Sequence, residues 1–266
     1  MNKQQANNVV MSKVEAKKDM LSMLWPTLGA TILYLIPVIL LSGIFTMVIG
    51  ADDESKMLAL SMEQILLYGG LYLLAQILLI APLYFGLTQY YALRRAGAVP
   101  SASIVTIALS SIRLYGKSIG LYLTIGLHSL LWALPLYVII VFGSVLVNTV
   151  LPNMIGWFIL FEIVIFGLLG YICMIIRYHC AYALIMENTK LGCWKAVRTA
   201  AQTFKGHKRE LFALISSFML WVLLVLLTGG LAMVIVCPYF LMSVYHLFDR
   251  IRGVQVKTRP AESKEA

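Results

Sequence analysis

Charge is what this chain has least of. Asp, Glu, Lys and Arg together make up 12% of its residues, against roughly 25% in ordinary soluble domains. Apolar residues reach 61%, where about 45–50% is usual. That shortage excludes a soluble globule, because a chain of 266 residues cannot cover so much apolar surface, whereas a bilayer can. Cysteine is also scarce. There are four, none in a C-x-x-C pair, so neither a disulfide framework nor a paired-cysteine zinc site is expected. Cys173 and Cys180 share a helical face beside His179, but the spacing argues against a metal. There is no H-E-x-x-H. Gly116-Lys117-Ser118 ends like a phosphate-binding loop, but Ser111 stands where that loop needs its first glycine. No catalytic pair of carboxylates falls at one depth. The chain is therefore expected to be no enzyme and to hold neither metal nor cofactor.

What the sequence does have is long apolar runs. They predict six membrane spans, at about residues 26–50, 65–87, 118–150, 156–176, 211–228 and 231–248. The first is expected to be a retained span, being too long for the apolar core of a signal peptide. The polar segments between the spans sort by sign. Of 21 Lys and Arg, all but Lys56 fall in four groups that six crossings place on one side. Cations near span ends stay cytoplasmic, so both termini are expected inside. The first outer loop carries Asp52, Asp53, Glu54 and Glu63. The expected fold class is all-α: a polytopic membrane helix bundle of six transmembrane helices in the cytoplasmic membrane, with two cytoplasmic amphipathic helices and both termini cytoplasmic. It forms a single domain over 1–266, comprising a cytoplasmic segment 1–20, the bundle 21–252 and a disordered tail 253–266.

Two of the cytoplasmic connections have helical periodicity. Ile104, Ile107, Ala108, Ile112 and Tyr115 recur on one face. Leu191, Trp194, Val197, Ala201 and Phe204 form a second stripe, flanked by cations, with Thr189 as a plausible cap. Both read as amphipathic helices, lying on the inner membrane surface or packed against the end of the bundle.

The most specific run is Lys205-Gly206-His207-Lys208, followed by Leu211-Phe212, Ser217-Phe218 with Trp221, Leu227-Thr228 with Gly230, and Pro238-Tyr239. With Pro82-Leu83 and Gly86 upstream, this order resembles the DUF975 family of bacterial integral membrane proteins over about residues 80–250. The resemblance implies the membrane architecture. It implies no chemistry, since no biochemical function is assigned to that family. Glu187-Asn188-Thr189 departs from the family's Asp-Asn-Pro-like turn.

Candidate site residues follow from position. Glu162 is the one acid within a span, where a carboxylate is costly and often functional. Gln76 and Asn148 are the polar residues expected to join it in an outward-facing, ligand-binding pocket. Lys205, His207, Lys208 and Arg209 form a basic cluster suited to anionic lipid headgroups; its alternative is a loop break with a positive stop. The expected partners are the lipid bilayer, anionic headgroups and another membrane protein, with no nucleic acid. The expected function is a non-enzymatic accessory or transport-related subunit that handles a hydrophobic or amphiphilic ligand or assists a membrane complex. The alternative is an intramembrane enzyme acting on lipid, with Glu162 or His207 as acid and base.

The topology is testable by reporter fusions. Those ending at Asp53, Asn153 and Gly229 should report the outside, and those at Val10, Gly97, Ala200 and Thr258 the inside. A cytoplasmic signal at Asp53 would sink the six-span arrangement.

Overall fold

The structure is a computed structural model. It describes residues 3–50, 60–95, 114–150 and 154–253. Among these there is helix and turn but no strand. Six helical segments are long and apolar enough to cross a membrane, and the protein is an all-α polytopic bundle. The stretch 104–113, most of the acidic loop, the turn 151–153 and the tail from 254 lie outside the described residues.

Helix α1 (Lys3–Ser22) precedes α2 (Leu24–Ile49), the first span. The second span begins with α3 (Met62–Ala75), where Ser61 and Gln64 form a reciprocal capping box that satisfies two end donors. It passes through a π-helical turn (Gln76–Ile80) into α4 (Ala81–Arg95). A π turn leaves a carbonyl without its usual partner, and the Tyr115 hydroxyl donates to Leu78 O at 2.8 Å. Helices α5 (Tyr115–Val150) and α6 (Met154–His179) form a tightly packed hairpin. Gly143 permits their close approach: a Cβ there would meet Leu160 Cδ1 at 2.5 Å.

Two short helices follow, α7 (Ala181–Glu187) and α8 (Cys193–Thr203). Thr189 does not cap α8. Gly192 is its N-cap residue, and the Asn188 side chain instead accepts from Lys190 N at 3.0 Å. Ala196, Val197 and Ala200 of α8 are fully buried against the bundle, whereas Trp194 remains 56% exposed.

The fifth span is not one helix. It is α9 (Lys208–Ser216) and α10 (Met219–Leu227), broken at Ser217–Phe218. Ser216-Ser217 is the kind of pair at which helices kink, and Ser217 Oγ donates back to Leu214 O at 2.6 Å. The sixth is α11 (Met233–Arg252). Gly229 and Gly230 make the intervening turn with φ of 59° and 94°, a conformation that side chains disfavour.

Packing is uneven. In the apolar window of α11, 67% of residues are buried; in that of α2, none are. The core gathers where α4, α7, α8 and α11 meet, around Phe85, Tyr91, Tyr182, Phe204, Tyr245 and Phe248. This is the packed end of the bundle, and α1 lies along it. The other end exposes Leu40, Leu66, Phe142 and Leu226, as a lipid-facing surface does.

Helix α1 is held by charge. Asp19 Oδ2 meets His246 Nε2 at 2.8 Å, and Glu15 Oε2 lies 3.5 Å from His246 Nδ1. Glu15 also takes a two-pronged contact from Arg250, Nε at 3.3 Å and Nη2 more closely. Asn8 Nδ2 donates to Glu210 Oε2 at 3.2 Å. Charge-assisted bonds of this kind contribute about 1.5–3 kcal/mol. Glu15→Ala and Arg250→Ala should therefore each lower stability in detergent by about 1–3 kcal/mol, and the double variant should lose little more than either single one. Fully additive losses would show that the pair does not couple.

Candidate functional site

The residues expected to form an outer pocket do not converge. Gln76 donates to the Tyr72 hydroxyl at 2.9 Å along its own helix. It sits at the π turn touched by Tyr115, the first residue of α5. Asn148 stands near the far end of that 36-residue helix, about 50 Å from Tyr115 at 1.5 Å per residue. Glu162 lies on the exposed flank of α6 between the exposed Phe161 and Ile163. Neither Glu162 nor Asn148 makes a hydrogen bond among the described residues.

The basic cluster divides. Lys205, Lys208 and Arg209 are exposed. His207 is committed: its Nδ1 lies 2.7 Å from Glu210 Oε1, a carboxylate with no exposed surface. His207 therefore ties α9 to α1 through Glu210 and Asn8. Among the described residues, His207 pairs with Glu210, and His246 with Asp19 and, more distantly, Glu15. His246 is itself 1% exposed.

Gly116-Lys117-Ser118-Ile119-Gly120 has the G-x-S-x-G spacing of a nucleophile elbow. That motif works only on a strand-to-helix turn. Here it lies inside the first turns of α5, with Ser118 fully buried and its hydroxyl donating to Tyr115 O at 2.7 Å. Among the described residues, no group of three or more His, Cys, Asp or Glu is arranged to hold a metal. His179 packs on Tyr84 and Tyr182, its Nδ1 3.2 Å from the Tyr84 hydroxyl.

The prominent concave feature arises from the break in the fifth span. Before the break, α9 packs on α6; after it, α10 packs on α11. The space between α6 and α10 opens as a groove of about 530 Å³, within the roughly 300–1,000 Å³ of small-molecule sites. Ile165, Leu168, Leu169 and Ile172 of α6 form one wall. Ile215, Phe218, Met219, Val222 and Val225 form the other, and Met233, Val236, Cys237 and Phe240 of α11 form the floor. Every lining residue is apolar. Among the described residues lining the space there is no acid or base, and Cys237 brings a thiol. The sequence signal for this groove was Ser216-Ser217 inside an otherwise apolar run. A smaller cleft of about 180 Å³ lies between α2 and α3, beside Phe45 stacked on Tyr72 at 4.3 Å.

Glu162 on a lipid-facing flank carries an insertion penalty of roughly 2.5–3.5 kcal/mol. Glu162→Leu should therefore leave expression and thermal stability equal to or above wild type. A marked fall in either would mean that the carboxylate has a partner in the assembled membrane.

No curated protein and no solved structure matches this chain. The DUF975 family, described as a protein of unknown function, matches residues 11–255. That span takes in the packed end, the broken fifth span and the groove, and the chain belongs to the DUF975 family.

Proposed function

We propose that this protein is a non-enzymatic accessory or transport-related component of a cytoplasmic membrane. It accommodates a hydrophobic or amphiphilic ligand in the groove between α6 and the α10–α11 hairpin. The observation that carries the reading is the groove itself: about 530 Å³ with a wholly apolar lining. Such a space suits a hydrocarbon chain, and its lining holds no acid or base to assist the Cys237 thiol. The threading in this proposal is N-in and C-in, with the packed end in the cytoplasm, supported by the placement of 20 of the 21 cations. Lys205, Lys208 and Arg209 then face the inner headgroups, and α8 lies at that surface with Trp194 towards lipid. Against the enzyme alternative stands the engagement of His207 by Glu210 and of His246 by Asp19.

The test is occupancy of the groove. A phosphatidylcholine carrying a diazirine in its acyl chain, reconstituted with the protein and photolysed, should label residues 165–172 and 215–240 above other exposed span faces. Val222 is 50% exposed at the groove wall, so Val222→Trp has room to fill it. That variant should cut groove labelling about fivefold, equivalent to about 1 kcal/mol. Labelling spread evenly over all lipid-facing helices and unchanged by Val222→Trp would overturn the proposal.

A further inference from the structure

Among the described residues, a lysine stands beside the groove. At its packed-end rim, Lys13 Nζ stands 5.2 Å from the centre of the Phe218 ring, which lines the groove. The same ammonium donates to Ser217 Oγ at 3.1 Å. Ser217 gives its own proton to Leu214 O, so its oxygen is left to accept. Ring and hydroxyl together fix the ammonium in place. Lys13 is half-buried and meets no carboxylate among the described residues. The acids around it are already engaged: Glu15 by Arg250 and His246, Asp19 by His246, and Glu210 by His207 and Asn8.

An apolar groove in a bilayer cannot select its occupant by apolarity, because lipid tails pack against one another as well as against Leu or Val. Selection has to come from the polar end of the ligand. The polar group at this rim is an unneutralised ammonium, a point charge suited to phosphate oxygens. From Phe218 the groove runs along α10 to Val225, about 10 Å at the helical rise. That is a length over which an extended hydrocarbon chain can lie while its headgroup stays at the rim.

We infer that the groove holds one acyl chain of an anionic phospholipid, whose phosphate sits on Lys13 Nζ beside Ser217. This rests on the groove reading above and adds the class of ligand. It gives α1 a role besides tying the bundle together: the helix that closes the packed end also supplies the charge that chooses the lipid.

The experiment compares two acyl-diazirine probes in phosphatidylcholine vesicles, phosphatidylglycerol and phosphatidylcholine. Both probes carry the same phosphodiester, so the preference reads the choline cation that Lys13 repels; with wild-type protein the anionic probe should label the groove about tenfold more than the zwitterionic one. Lys13→Gln should bring the two probes close to parity, and Lys13→Arg should keep the difference. Ser217→Asp, which sets a carboxylate against the ammonium, should remove the preference while leaving Lys13 in place. It therefore serves as the test should Lys13→Gln fail to fold. If Val222→Trp lowers labelling by both probes but Lys13→Gln and Ser217→Asp leave the anionic preference intact, the groove is occupied and the lipid assignment falls. If Val222→Trp changes neither probe, the groove reading falls with it.

Discussion

Of the six candidate spans, the one with the most buried apolar window is also the least apolar, and the packed end is built around that conflict. Helix α11 carries His246, Asp249 and Arg250 in its last turns, with His246 and Asp249 almost without exposed surface. Ionisable groups taken out of water need partners, or the cost of their burial unfolds the site. For His246 and Arg250 the partners come from far back in the chain, as Asp19 and Glu15 of α1. Once α1 is fixed along α11, Asn8 reaches Glu210 and Lys13 reaches Ser217. Those contacts set the position of α9 and the break that follows it. The rim of the groove is thus placed by an electrostatic demand that arises on a different helix.

Hydroxyls continue the same logic into the spans. The hydroxyls of Thr31 and Tyr91 lie 2.8 Å apart, and Trp132 Nε1 donates to the Tyr178 hydroxyl at 2.9 Å. Each joins two helices at a point where a lone polar group would find no water. Such bonds thin out towards the opposite end, where exposed side chains are apolar and lipid is the neighbour. One end is therefore fixed by directional contacts. The other is left to dispersion forces that a hydrocarbon chain supplies as well as a helix does.

The span pattern was legible in the sequence because twenty-odd apolar residues in a row have few other uses. The groove was not. It depends on a two-residue break, and Ser217 reads as an ordinary polar residue until its hydroxyl is seen bonded to Leu214 O. Position along the spans suggests a shared outer pocket for Glu162, Gln76 and Asn148, but it says nothing about azimuth, and the three face different surroundings. The docking of α1 did leave a trace. Glu15 and Asp19 are four apart, as are His246 and Arg250. Each pair presents like functions on one helical face, and the two faces complement each other. The His207–Glu210 pair is a local i,i+3 contact and readable in principle, but the adjacent Lys205, Lys208 and Arg209 give the segment the look of a purely basic cluster.

The pairing of α1 with α11 also bears on how the molecule assembles. Helix α1 is synthesised before α11, so Glu15 and Asp19 lack His246 and Arg250 while the five spans between them are being inserted. A contact between Asp19 and His246 closes nearly the whole chain into one loop, the kind of long-range contact that forms late and slowly. Until it forms, the packed end lacks its keystone and the lysine at the groove rim is not in position. The site is therefore completed only after synthesis of α11, and an incompletely inserted chain presents neither a closed packed end nor a charged rim.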